Sequence, residues 1–131
     1  MIGIDTNVLV RYLAQDDPVQ SAAATALIEQ RLTVANPGFI SLVAMVETVW
    51  VLDRAHRLPA AEIAAAVERM LQADVLVVDH EQAVFTAMIA LKQRIGSFAD
   101  ALIGALGGAA GCSHTVTFDR RALRLPGFVP V

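Results

Sequence analysis

The chain has 131 residues, 56% of them apolar, with a formal net charge of −3 and an isoelectric point near 5.5. That apolar content excludes a disordered chain. The acidic balance argues against a protein that coats nucleic acid through a basic surface, though not against one that carries its positive charge as bound metal. The length suits one ordinary domain over residues 1–131, with room for a sizeable core. No stretch approaches the roughly 18 uncharged apolar residues of a membrane span, and no basic segment precedes an apolar run at the N-terminus as in a signal peptide. The single cysteine, Cys112, excludes an internal disulfide and a cysteine-cluster zinc site, and fits a reducing, cytosolic location. Ala, Val, Leu and Ile exceed what a monomer of this size needs, which predicts an apolar surface covered by another chain.

Elements alternate in type along the chain. Ile2-Gly-Ile-Asp5 reads as a short buried strand, and Thr6 or Asp5 can cap the helix that follows from Asn7. Asp16-Asp17-Pro18 starts a second helix, reaching about Leu32, with Pro18 where a first turn tolerates it. Asn36-Pro-Gly38 is a turn and Phe39-Ile40 a brief strand. Ser41 then caps a helix to about Arg54, in which Val43, Val46, Trp50 and Val51 recur at helical spacing. Leu58-Pro59 opens another helix through Ile63, Val67, Met70 and Leu71. Val75 to Val78 is a continuous apolar run, as in a parallel strand buried on both faces. Asp79 and Gln82 form a capping pair for a helix to about Ile95, which Gly96 ends. Ser97 starts a helix running to about Ala110. Thr115 to Phe118 is a strand, Asp119 to Leu123 a turn or short helix, and Phe128 to Val131 a final edge strand. Strands separated by helices imply a parallel sheet covered on both faces, a three-layer α/β/α architecture.

In open parallel sheets chemistry collects at the carboxyl ends of the strands. Asp5, Asp79 and Asp119 each follow apolar strand residues; Glu47 lies inside an apolar helix, and Asp100 in the first turn of another. Each has a plain structural role open to it. Asp5 can be a helix cap and Asp119 a turn former; Asp100 can pair with Ser97 in a Ser-x-x-Asp cap. Glu47 can pair with an arginine or face water. Asp79 is assigned to capping through Gln82. Four acids from four regions converge only if the fold brings them together, and without cations such a cluster repels itself. Hard divalent cations favour oxygen ligands and relieve that repulsion.

The motifs around these acids resemble those of PIN domains, and most closely the VapC toxins of toxin–antitoxin modules. Ile2-Gly-Ile-Asp5-Thr6-Asn7-Val8-Leu9 resembles the family's first motif, Val46-Glu47-Thr-Val-Trp50-Val-Leu52 the second, Phe98-Ala-Asp100-Ala-Leu-Ile103 the third, and Thr117-Phe118-Asp119-Arg120-Arg121 the last, with a family-like tail at Leu125-Pro-Gly-Phe128. The resemblance covers essentially the whole chain. It implies a central parallel sheet of four to five strands in the order 3-2-1-4-5, flanked by helices, with the Asp79 strand at an edge. One departure is Leu106-Gly-Gly108-Ala-Ala-Gly111, where no Lys-Ser/Thr follows, so it is no phosphate-binding P-loop; close helix packing or a frayed helix end is expected.

By resemblance, the activity is metal-dependent hydrolysis of RNA phosphodiesters by a toxin. Asp5, Asp100 and Glu47 would hold Mg²⁺ or Mn²⁺, and Asp119 would bind a second ion or position water. Thr6, Asn7 and Thr117, short polar residues beside the acids, either orient the carboxylates or serve plain capping and strand roles. The same resemblance implies a homodimer neutralised by a VapB-like antitoxin, whose apolar helix would lie on residues 42–54 and 59–71, with DNA contacted only through that antitoxin. Arg11, Arg120 and Arg121 are phosphate-contact candidates or a solvated basic face. His56, His80 and His114 show no ligand spacing. Trp50 fits a core or interface position better than a base-stacking one. Two alternatives are a catalytically silent PIN module and a haloacid-dehalogenase-like phosphatase. The second suffers from Asn7 standing where that family has a second Asp.

Overall fold

The computed structural model describes Met1–Val131, and the chain divides into two units, Met1–Asp79 and His80–Val131. The first unit contains β1 (Ile2–Gly3), α1 (Thr6–Ala14), α2 (Pro18–Ala26), β2 (Gly38–Ile40), α3 (Leu42–Arg54), α4 (Ala60–Gln72) and β3 (Leu76–Val78). A π-helical turn over Leu27–Arg31 prolongs α2. The three strands form a parallel sheet with β2 in the middle: Gly3 pairs with Phe39, and Phe39 with Val77. Side-chain caps start α2 and α3. The Asp17 carboxylate accepts from the amides of Val19 and Gln20 at 3.1 and 2.9 Å, with Pro18 as the first helical residue of α2. The Ser41 hydroxyl accepts from Ala44 N and begins α3.

The buried side of α3 differs from the one its apolar periodicity suggests. Ala44, Met45, Thr48, Val49 and Leu52 point inward, while Val43 and Trp50 are 77% and 60% exposed. The helix is apolar on two faces, so spacing alone does not decide which face meets α1 and α4. Thr48 Oγ1 is fully buried and makes no hydrogen bond. The strand over Leu76–Val78 is not buried on both faces either, because Val77 is 42% exposed; β3 is an edge of its sheet and pairs only with β2.

Arg11 and His56, distant in sequence, meet on one carboxylate. Asp16 Oδ2 lies 2.9 Å from Arg11 Nη1 and 2.7 Å from His56 Nε2, and Arg11 Nε also donates to Gln20. Arg11 is therefore engaged in tying the α1–α2 corner to the end of α3. The hydrogen bond from His56, with the Arg11 charge, holds the Asp16 carboxyl below its ordinary value. A carboxyl depressed in the folded state lends stability above its unfolded pKa and loses it as pH falls through its folded value. Asp16→Asn is therefore expected to make urea-unfolding stability less steep in pH below about 4, the unfolded Asp value, while the parent protein loses stability faster over that range.

The second unit contains α5 (Glu81–Gln93), α6 (Phe98–Ala109), β4 (Thr115–Thr117), a 3-10 turn (Ala122–Arg124) and β5 (Phe128–Pro130). β4 and β5 pair in parallel, Val116 opposite Val129. The residue capping α5 is His80, held in the left-handed region at φ 52°, rather than Asp79. Asp79 does cap a helix, but a different one: its Oδ2 accepts from Leu42 N, the first amide of α3, at 3.3 Å. Helix α6 runs unbroken through Gly107 and Gly108 to Ala109, so the glycine-rich stretch is helical rather than a phosphate loop.

The expected class, α/β with parallel strands and flanking helices, is present. The expected single sheet is instead two, ordered 3-2-1 and 4-5. β1 is only two residues long, and the amides on either side of Gly3 turn toward β2: Ile2 N donates to Pro37 O and Ile4 N to Phe39 O. No helix is long and apolar enough to cross a membrane.

Candidate active site

Asp5 stands where β1 gives way to α1. The amide of Ile4 is fixed to Phe39 O at 2.9 Å, Asp5 itself is extended (φ −79°, ψ 155°), and Asp5 O accepts from Val8 N and Leu9 N. Its backbone is therefore the N-cap of α1, but its carboxylate caps nothing and is exposed. Thr6 is the first helical residue and buried, and Asn7 is exposed. In the same unit, Glu47 lies on the outer face of α3, exposed and without an ion pair.

In the second unit Asp100 is the third residue of α6. Ser97 Oγ accepts from Asp100 N at 3.0 Å, yet the Asp100 carboxylate does not reach back, so only half of the anticipated capping pair forms. That leaves a partly exposed carboxylate in the first turn, where the helix dipole favours negative charge. Ser97→Ala should cost about 1 kcal/mol, because it orphans the Asp100 amide. Asp100→Asn should change stability by less than that; thermal melting of both variants checks the order.

Asp119 follows β4 in a tight turn. Thr117 Oγ1 accepts from Asp119 N at 2.9 Å, and Asp119 Oδ1 accepts from Arg121 N at 2.8 Å. One carboxylate oxygen thus forms the turn and the other is left for a ligand. Thr117 fixes the backbone under Asp119, as a residue that orients a carboxylate must. Arg120 and Arg121 beside it are exposed.

The four acids are divided two and two between the units: Asp5 with Glu47, and Asp100 with Asp119. In neither unit do three or more His, Cys, Asp or Glu side chains gather as a group able to hold a metal ion. The donor set still has the right chemistry for a hard cation. All four are carboxylates, none is paired with Lys, Arg or His, and only Asp119 spends an oxygen on the protein itself. Acids that serve structure are placed differently. Asp16, Asp17 and Asp79 have their oxygens occupied by side chains or amides.

Two features escaped the sequence. The Arg11–Asp16–His56 cluster depends on a contact between Asp16 and His56, 40 positions apart, which no local pattern signals. The exposure of Trp50 was hidden by its place in an apolar run. Residues 2–127 match the family model of the PIN domain. No curated protein and no solved structure matches the chain. PIN domains are generally nucleases and generally use divalent metal ions. With 126 of its 131 residues inside the match, running from β1 to the turn before β5, the chain belongs to the PIN domain family.

Proposed function

We propose that this protein is a metal-dependent endoribonuclease of the VapC toxin type, acting as one PIN domain over residues 1–131, with Asp5, Glu47, Asp100 and Asp119 as its metal-binding and catalytic residues. The observation that carries the reading is the state of these acids. All four lie within the residues that match the PIN family model, and none has a cationic side chain to neutralise it. Carboxylates kept free of protein cations suit a bound one. The proposed cation is Mg²⁺ or Mn²⁺, held by Asp5, Glu47 and Asp100, with Asp119 binding a second ion or positioning water. When bound, such ions lower the pKa of water and stabilise charge on the leaving oxygen of a phosphodiester.

The chain's own residues supply position. The strand-to-helix junction presents Asp5 without spending its side chain on the helix. Ser97 holds the first turn of α6 so that the Asp100 carboxylate need not. Thr117 and the Arg121 amide clamp Asp119 from two sides. Thr6 and Asn7 flank Asp5 as orienting groups. Arg120 and Arg121, exposed beside Asp119, are the candidates to meet phosphate oxygens of RNA. The toxin assignment brings with it a homodimer and a VapB-like antitoxin laid on α3 and α4, with DNA reached only through that partner, in the cytoplasm.

The test is cleavage of single-stranded RNA by the purified protein in Mg²⁺ or Mn²⁺, with loss of activity on adding EDTA. Millimolar metal should also raise the melting temperature, since a ligand that binds only the folded state stabilises it by mass action. A protein that melts at the same temperature at every metal concentration, and leaves RNA intact, is a silent PIN module instead.

A further inference from the structure

Phe39 lies between Gly3 and Val77 in the three-stranded sheet. Two residues further along each strand, Asp5, Ser41 and Asp79 therefore come level at the carboxyl edge, with Ser41 in the middle. The ladder persists to that level, since Ile4 N donates to Phe39 O at 2.9 Å and Asp79 N to Ile40 O at 3.0 Å. Adjacent strands run about 4.8 Å apart, which puts the backbones of Asp5 and Asp79 roughly 10 Å from one another.

The two acids are spent differently. The Asp5 carboxylate caps nothing. Asp79 grips the neighbouring segment on both sides of Ser41: its amide holds Ile40 O, and its Oδ2 accepts from Leu42 N at 3.3 Å. Ser41 Oγ takes the amide of Ala44. Two of the amides that a helix leaves unbonded at its start are thus held by side chains, and one of those side chains comes from another strand.

That grip lies close to Glu47. Glu47 is the sixth residue of α3, about 7.5 Å along the axis from Leu42. It is exposed and has no ion pair or side-chain hydrogen bond of its own, so its carboxylate goes where the helix takes it. The buried side of α3 is held by apolar contact, which is not directional, and the hydroxyl there, Thr48 Oγ1, makes no hydrogen bond. Only past the far end of α3 does another such tie follow, from His56 to Asp16.

We propose that Asp79 is a positioning residue for the metal site: by holding Leu42 N it sets the direction in which α3 leaves β2, and with it the place of the Glu47 carboxylate relative to Asp5. The proposal rests on the nuclease reading above, in which Glu47 is a ligand. It gives an acid on an edge strand a share in metal affinity without making it a ligand.

Mn²⁺ binding to the full chain, read without RNA from the electron paramagnetic resonance of the free ion and well below each variant's melting temperature, tests this. Asp79→Ala should weaken Mn²⁺ binding by about 10-fold, the lower end of what outer-shell partners of a ligand contribute. Asp79→Asn, which keeps an acceptor oxygen and drops the charge, should recover most of the affinity. Should Asp79→Ala fail to fold, Leu42→Pro deletes the donor instead, at a first helical position where proline is tolerated, after a Ser41 already extended at φ −67°, ψ 158°. The decisive measurement is the cycle with Glu47→Ala. In that background the second substitution should weaken Mn²⁺ binding no further, because the side chain it places is gone. An equal loss in both backgrounds, or parental affinity in Asp79→Ala with a lower melting temperature, makes Asp79 a helix cap and nothing more. Asp79→Asn as weak as Asp79→Ala puts the effect in the charge and also overturns the proposal. If Glu47→Ala binds Mn²⁺ like the parent, the proposal falls while the reading of the other three acids stands. A parent protein that binds no Mn²⁺ overturns both.

Discussion

Asp5→Asn is expected to slow RNA cleavage by more than about 100-fold while leaving the protein folded. Loss of an outer-shell partner of a metal ligand already costs about 10–100-fold, so loss of a ligand's own charge should exceed it. The folded state should tolerate the change, because the Asp5 carboxylate makes no capping bond and faces solvent. The backbone role of residue 5, accepting from Val8 N and Leu9 N, is indifferent to the side chain. Cleavage rate and melting temperature measured side by side separate the two effects. Wild-type cleavage by the variant would remove Asp5 from the site, and a large fall in melting temperature would return it to structure.

The largest loss of stability is expected from Gly96→Ala. Gly96 has φ +68°, and a Cβ placed there would lie 2.6 Å from Leu125 Cδ1 and 2.9 Å from Leu125 Cγ. Leu125 is itself buried, so it has little room to retreat. Left-handed backbone strain of about 1–2 kcal/mol and overpacking of about 1–3 kcal/mol combine to roughly 2–5 kcal/mol. Urea unfolding reads this directly, and a variant as stable as the parent would mean that the turn relaxes. The effect should also reach the site. Gly96 sets the turn into Ser97, whose hydroxyl anchors the amide of Asp100.

Most of the elements were legible because short signals mark them. Ser41, Asp17-Pro18 and Ser97 cap the helices expected of them, whereas α5 ends at Arg94, held left-handed at φ 58°, two residues before the Gly96 expected to stop it. What failed shares one cause: a local pattern met a partner distant in sequence. Asp79 and Gln82 have capping spacing, yet the Asp79 carboxylate reaches Leu42 instead. Apolar spacing marked α3 as a helix but not which side is covered, since α1 and α4 decide that. The length of β1 and the division of the strands into two sheets depend on pairing, which no single segment encodes. For the site, residue types and motif positions were readable. That the carboxylates of Asp5 and Asp100 are left out of their caps was not, because spacing shows only that a cap is possible.

The bond from Leu42 N to Asp79 bears on the order in which the chain organises itself during synthesis. The helix bearing Glu47 and Trp50 is fastened at its start by a residue made 37 positions later, and β2, which leads into that helix, gains its second neighbour only with β3. A ribosome-bound fragment ending before residue 76 therefore has the Leu42 amide without its acceptor and one flank of β2 unpaired. Contacts of long sequence separation form late because closing the intervening loop costs entropy first. The segment that carries Glu47 would then be among the last parts of its unit to lock, well after its own residues have left the exit tunnel.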